Sequence, residues 1–175
     1  RIFMKDGGHA MLVGVGGSGR QSLTRLAAHA CNYPVVPLEI GPNFTTSEFK
    51  SLLQTISYKA AIKGEGTVFF INESQVKDDK YFVFINDLLS SGDIPDLYST
   101  DEKDNLVNLV LPKLKQLGVE QTPTNAWAYY IQNLRRNLHV VITMSPIGDS
   151  FRSRSLKFPA LTSCTTIDWF HPWPM

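Results

Sequence analysis

An apolar run, Ala10-Met11-Leu12-Val13-Gly14-Val15, passes directly into Gly16-Gly17-Ser18-Gly19-Arg20-Gln21-Ser22, and a helix-periodic run follows over Gln21–Cys31. Four glycines stand within six positions, Gly14 to Gly19. A strand that feeds a glycine loop that opens a helix brings several backbone N–H groups together at the positive end of a helix dipole, which makes an anion site. Few folds accommodate that order of elements, and those that do alternate strands with helices.

The remainder of the sequence alternates in that way. Val35–Ile40 reads as a second strand, and Thr45–Lys63 as a helix opened by Thr46-Ser47-Glu48. Thr67–Asn72 is a third strand, and Asp78–Ser90 is a helix with Phe82, Ile85, Leu88 and Leu89 on one side. In Gln21–Cys31 the apolar positions are Leu23, Leu26, Ala27 and Ala30. Asp101–Leu117 and Pro123–Arg136 are further helical stretches, the first broken or kinked at Pro112. Leu138–Met144 is a fourth strand and Cys164–Asp168 a fifth. The expected fold is α/β, a three-layer architecture with a mostly parallel five-stranded sheet and helices on both faces. The acidic stretch Ser99–Asn105 reads either as a surface insertion or as a solvated helix start, and the segment from Ser99 to Asn133 as a helical insertion without an assigned task.

Composition narrows the function classes. The 175 residues are 43% hydrophobic and 19% charged, which suits one folded domain and excludes a low-complexity chain. A formal net charge of +1 gives no bulk pull toward nucleic acid or a membrane surface, and no apolar run approaches the about 20 residues of a spanning helix. Two cysteines, Cys31 and Cys164, give neither a disulfide framework nor a zinc pattern, and suit a reducing compartment. The start at Arg1 and the aromatic, proline-rich end Trp169–Met175 read as a piece of a longer protein.

Two ligand classes fit the loop. Gly14, Gly16 and Gly19 satisfy G-x-G-x-x-G, and Glu39 stands 20 positions after Gly19, where a dinucleotide (NAD) fold keeps its ribose-binding acid. Gly14 to Gln21 also fits the phosphate loop G-x-x-x-x-G-K-[ST] with two substitutions, Arg20 for the lysine and Gln21 for the hydroxyl, with Ser22 one position on. The loop alone leaves both open. The strand Thr67–Asn72 ends in Asn72-Glu73, in the places where the second P-loop motif has an Asp for Mg²⁺ and a Glu for the attacking water. A neutral Asn is a poor magnesium ligand. Ser145, at the tip of Leu138–Met144, is a candidate sensor of the γ-phosphate. Arg152 and Arg154 are candidate arginine fingers toward a neighbouring module, against the plainer reading of a solvated surface or an ion pair within the module.

Several longer segments carry a resemblance: the glycine loop itself, Phe84-Ile85-Asn86-Asp87-Leu88-Leu89-Ser90-Ser91-Gly92-Asp93-Ile94-Pro95-Asp96-Leu97, Met144-Ser145-Pro146-Ile147-Gly148, Phe158-Pro159-Ala160-Leu161 and Ile167-Asp168-Trp169-Phe170. Together they resemble the fourth AAA+ module of dynein heavy chains, most like the axonemal branch, over almost the whole sequence. That resemblance implies a ring of six AAA+ modules walking on microtubules, with neighbouring modules of the same heavy chain as partners and microtubules reached through a stalk. It implies a cytoplasmic, cytoskeletal location in the axoneme of cilia or flagella. Residues 1–175 would be the large α/β subdomain, without the helical lid and stalk.

Carried over residue by residue, Gly14, Val15, Gly16, Gly17, Ser18, Gly19, Arg20, Gln21 and Ser22 would wrap the phosphates of ATP or ADP. Glu73 would stand at the water-orienting position and Ser145 at the sensor position, with Asn72 and Ser22 the weak candidates for Mg²⁺. No arginine precedes the last strand where a finger is expected; Cys164 stands there. The expectation is a module that binds nucleotide, hydrolyses it slowly or not at all, and serves the ring as a regulatory or structural part. The rivals are a vestigial module with an empty loop and a dinucleotide-binding domain.

Overall fold

In a computed structural model describing residues 1–174, five strands form one sheet in the order β2-β3-β4-β1-β5, where β1 is Ala10–Gly14, β2 Val35–Pro37, β3 Thr67–Asn72, β4 Leu138–Met144 and β5 Thr166–Phe170. Every pairing is parallel. The expected α/β fold is present. Its helices are α1 (Arg20–Ala30), α2 (Thr46–Ala61), α3 (Lys80–Ser90), α4 (Thr100–Gln116), α5 (Pro123–Asn137), α6 (Ser150–Lys157) and α7 (Ala160–Ser163).

Strand alternation divides the core into two faces. Met11, Val13, Phe69, Ile71, Val140, Ile142 and Met144 point into the larger cluster, which α2, α3, α4 and α5 cover. Leu12, Val68, Phe70 and Val141 point the other way, toward Ala28 of α1 and Phe3 of a short 3-10 turn. With both faces covered, β1, β3 and β4 are buried along almost their whole length, which is why they read as unbroken apolar runs.

Several local expectations change. Strand β2 stops at Pro37, so Glu39 falls outside it. Pro112 does not break α4, because Pro112 and Asn108, whose carbonyl loses its partner, both lie on the exposed side where water serves that carbonyl. On α1 the packed residues are Thr24 and Ala28, whereas Leu23 and Leu26 are exposed. The glycine loop fixes how α1 leaves β1, and small side chains let the helix lie close to the sheet. Strand β5 starts two residues later than expected, because Cys164 caps the short helix α7. The stretch from Ser99 is no loose insertion. Ser99 and Glu102 form a reciprocal capping box, and Leu106, Val107, Val110 and Leu114 of α4 join the main core. Among the described residues no helix is long and apolar enough to cross a membrane.

Candidate functional site

Parallel strands place their carboxyl ends along one edge of the sheet, and ligands of such folds bind there. At that edge β1 runs into the glycine loop. Gly17 and Gly19 take positive φ of 79° and 88°, which only glycine adopts freely. A β-carbon on Gly14 would lie 2.8 Å from Phe170 Cβ and 2.9 Å from Ser18 Oγ, so Gly14 is a packing glycine. Gly16 and Gly17 differ: a β-carbon on either would meet nothing within 4 Å. Their bare backbone faces open space in a crevice of about 370 Å³ that Arg20, Gln21 and Ser22 also line. Ser18 lines it too, 5% exposed and with a hydroxyl that has no hydrogen-bond partner.

Beside this crevice a second cleft, of about 590 Å³, opens over the ends of β3 and β4. Glu73 sits in its wall, 8% exposed. Its Oε2 accepts the Ser145 N–H at 3.0 Å, and its Oε1 accepts the Ser150 hydroxyl at 2.6 Å and Arg154 Nη1 at 2.9 Å. Arg154 is held in turn: Nη2 donates to the Val76 carbonyl at 2.8 Å, Nε reaches Asp79 at 3.3 Å, and the guanidinium lies 4.6 Å from the centre of the Phe82 ring. Lys157 donates to the other Asp79 oxygen at 2.9 Å; this bond, with Arg154 behind it, holds the Asp79 carboxyl below its usual range. Ser145 Oγ accepts the Ile147 N–H at 3.2 Å, which leaves its own proton free to donate into the cleft. Arg20 leaves the first turn of α1 and donates from Nη1 to the Met144 carbonyl at 2.6 Å, bridging the glycine loop to the end of β4. Burial pulls its pKa down and nearby Glu73 opposes this; the guanidinium stays charged.

Over residues 1–175 the sequence matches the family described as the P-loop containing dynein motor region D4. The chain belongs to this family. It is 47% identical to the dynein alpha chain of the flagellar outer arm of Chlamydomonas reinhardtii, and 45% identical to the ciliary dynein beta chain of Tripneustes gratilla and to human dynein axonemal heavy chain 9. Each match runs over 174 residues, 99% of this chain and 4% of the relative. The chain therefore spans about 4% of the length of these curated relatives.

Within this dynein-region fold the sequence-derived residues separate into those the site gathers and those it does not. Gly16 to Ser22, Asn72, Glu73 and Ser145 converge on the two adjoining cavities. Arg152 is exposed on α6, away from them. Arg154 is not available as a finger toward another module: its side chain is 12% exposed and spent on Glu73, Asp79 and Val76. The ion pair within the module is the arrangement adopted. The dinucleotide reading fails on strand order. In that fold the second strand lies next to the first. Here β3 and β4 separate β2 from β1, about 14 Å at the usual strand spacing, and exposed Glu39 lies beyond β2.

The residues do not fit the magnesium ion that a P-loop ordinarily holds. Asn72 Oδ1, its one ligand-grade atom, already accepts the Ser74 N–H at 3.1 Å and the Ser74 hydroxyl at 2.9 Å. Gln21 offers no hydroxyl at the loop position, and Ser22 alone is a single neutral donor group. Among the described residues no three His, Cys, Asp or Glu side chains cluster as a metal site.

Two contributors carry no sequence signal of their own. Ser150 reaches Glu73 only because α6 begins beside the end of β4. Trp173 lies 3.7 Å from where a β-carbon on Gly19 would be, in the wall of a cleft of about 540 Å³ on the β5 side of the loop.

Proposed function

We propose that the chain is the large α/β subdomain of the fourth AAA+ module of an axonemal dynein heavy chain, one that binds ATP or ADP and hydrolyses it weakly or not at all. The observation that carries this reading is the state of Glu73. A glutamate that orients an attacking water needs a free carboxylate oxygen facing it. Three of the four acceptor sites of the Glu73 carboxylate are taken, two at Oε1 by Ser150 and Arg154 and one at Oε2 by Ser145, so neither oxygen is free of a protein partner. Binding is supported by the open backbone at Gly16 and Gly17 and the charge of Arg20 beside the loop. The role that follows is regulatory or structural, exerted on neighbouring AAA+ modules of a microtubule motor in cilia or flagella, where the named relatives belong.

One observation favours the vestigial reading: Arg20 is already bonded to the Met144 carbonyl and would have to share or leave that bond to meet a phosphate. Calorimetric titration with ADP, ATP and NAD, with phosphate release followed in the same samples, separates these readings. The expected result is adenine-nucleotide binding without sustained phosphate release, weakened about tenfold or more by Arg20→Ala. Sustained turnover would overturn the inactive-site reading, and absence of binding would favour the vestigial one.

A further inference from the structure

The mismatch between this phosphate cradle and magnesium extends to the form of ligand the site takes. We infer that the site binds the nucleotide diphosphate as the metal-free anion, with the Arg20 guanidinium in the place of Mg²⁺. The inference rests on the nucleotide-binding reading above.

The argument is one of charge and donors. In the cleft next to the glycine loop Arg154 is paired with Glu73 and Asp79, while Arg20 and Lys77 line it with no carboxylate partner among the described residues. That surplus repels a dication and attracts an oligoanion. Magnesium demands near-octahedral oxygen ligands and is ordinarily brought to protein by one or two carboxylates. Here Glu73 has three of its four acceptor sites occupied and its charge paired with Arg154, and the Asn72 amide oxygen is turned back to cap the turn at Ser74. The positive charge that the metal supplies elsewhere is supplied by Arg20. Its planar fork presents donors to two phosphate oxygens at once, which the point charge of a lysine cannot do. Only Nη1 is engaged within the protein, so Nε and Nη2 remain to meet the ligand.

The test compares binding of ADP to the chain in excess Mg²⁺ and in EDTA at matched ionic strength. ADP in magnesium solution is largely the metal complex, which would have to shed its ion to enter. The expected result is therefore affinity in EDTA equal to or tighter than in Mg²⁺. Affinity weaker by about tenfold or more in EDTA would overturn the inference and leave the nucleotide site standing. Absence of ADP binding in both buffers would overturn the nucleotide reading and the inference with it. A second variant works by gain of function. The double substitution Gln21→Thr with Asn72→Asp restores a loop hydroxyl and a carboxylate, of which one oxygen can keep the cap to Ser74. Far-ultraviolet circular dichroism checks its fold. It is expected to acquire about tenfold tighter ADP binding in Mg²⁺ than in EDTA. A folded double variant that binds ADP yet stays indifferent to the metal would overturn the assignment of metal independence to these positions.

Discussion

The Glu73 carboxylate and the Arg154 guanidinium meet at 2.9 Å with side chains only 9% and 12% exposed, so the pair is a buried one. Removing one partner of such a pair strands the other in a poor solvent. Arg154→Ala is expected to lower stability by about 3 kcal/mol, or about 6–12 °C in melting temperature for a domain of this size. Glu73→Gln is expected to cost about 2 kcal/mol, because Arg154 keeps only Asp79 as a counter-charge. Combined, Glu73→Gln and Arg154→Ala should cost less than the sum of their single effects. Denaturant melts of the four proteins check this; additive losses would show that the contact contributes no coupling.

Two glycines of one loop should respond in opposite ways to the same change. Gly14→Ala drives a methyl to 2.8 Å from Phe170 Cβ and 3.1 Å from the Phe170 carbonyl, neither of which can swing aside. A loss of about 1–3 kcal/mol in stability is expected. Gly16→Ala puts its methyl in open space, so stability should hold within about 0.5 kcal/mol. The same methyl stands where a phosphate would approach the backbone, and ADP affinity is expected to fall. Thermal melts with and without ADP distinguish the two substitutions.

Trp173 is 73% exposed beside Gly19, next to the loop that would hold the phosphates. A base extending from those phosphates toward β5 would cover its indole. Addition of ADP should therefore change tryptophan emission, and Trp173→Leu should remove most of that change while altering stability by no more than about 0.5 kcal/mol. An undiminished signal in the variant would direct the base elsewhere.

How much of this was legible in the sequence depended on what fixed each feature. Thr67–Asn72 and Leu138–Met144 were readable to the residue because both faces of each strand are buried, and composition alone marks such a strand. The glycine loop was readable because backbone chemistry demands glycine in that place. Glu39 misled because its spacing from Gly19 suits a dinucleotide fold, and spacing does not report strand order. Leu23 and Leu26 misled because helical periodicity shows that an apolar stripe exists, not which side the loop turns to the sheet. Arg154 was open in the sequence between a finger and an ion pair within the module, because its partner Glu73 lies 81 positions away and only the fold brings α6 against the end of β3.

A pair of buried histidines sets the expected response to acid. His9 is 5% exposed and its Nδ1 accepts the Val140 N–H at 2.9 Å, so the folded protein needs that nitrogen unprotonated. Burial, then the charges of His139 and Arg135, lower its pKa to about 3. His139 is fully buried, bonded through Nδ1 to the Gly8 carbonyl at 2.7 Å and stacked on Tyr33; burial lowers its pKa as well. In the unfolded chain both titrate near the ordinary value of about 6.5. Below that pH the unfolded state takes up protons that the folded state refuses, so stability falls as pH drops below about 6.5, for His9 toward pH 3 by up to about 1.4 kcal/mol per pH unit, with His139 adding to the fall in the same direction. Above pH 7 these groups contribute no slope. Urea midpoints at pH 7.5, 6.0 and 5.0 should decline in that order, and His9→Gln, which keeps an acceptor for Val140 but cannot take up a proton, should flatten the decline. A His9→Gln protein that keeps the full acid slope would remove His9 as a cause.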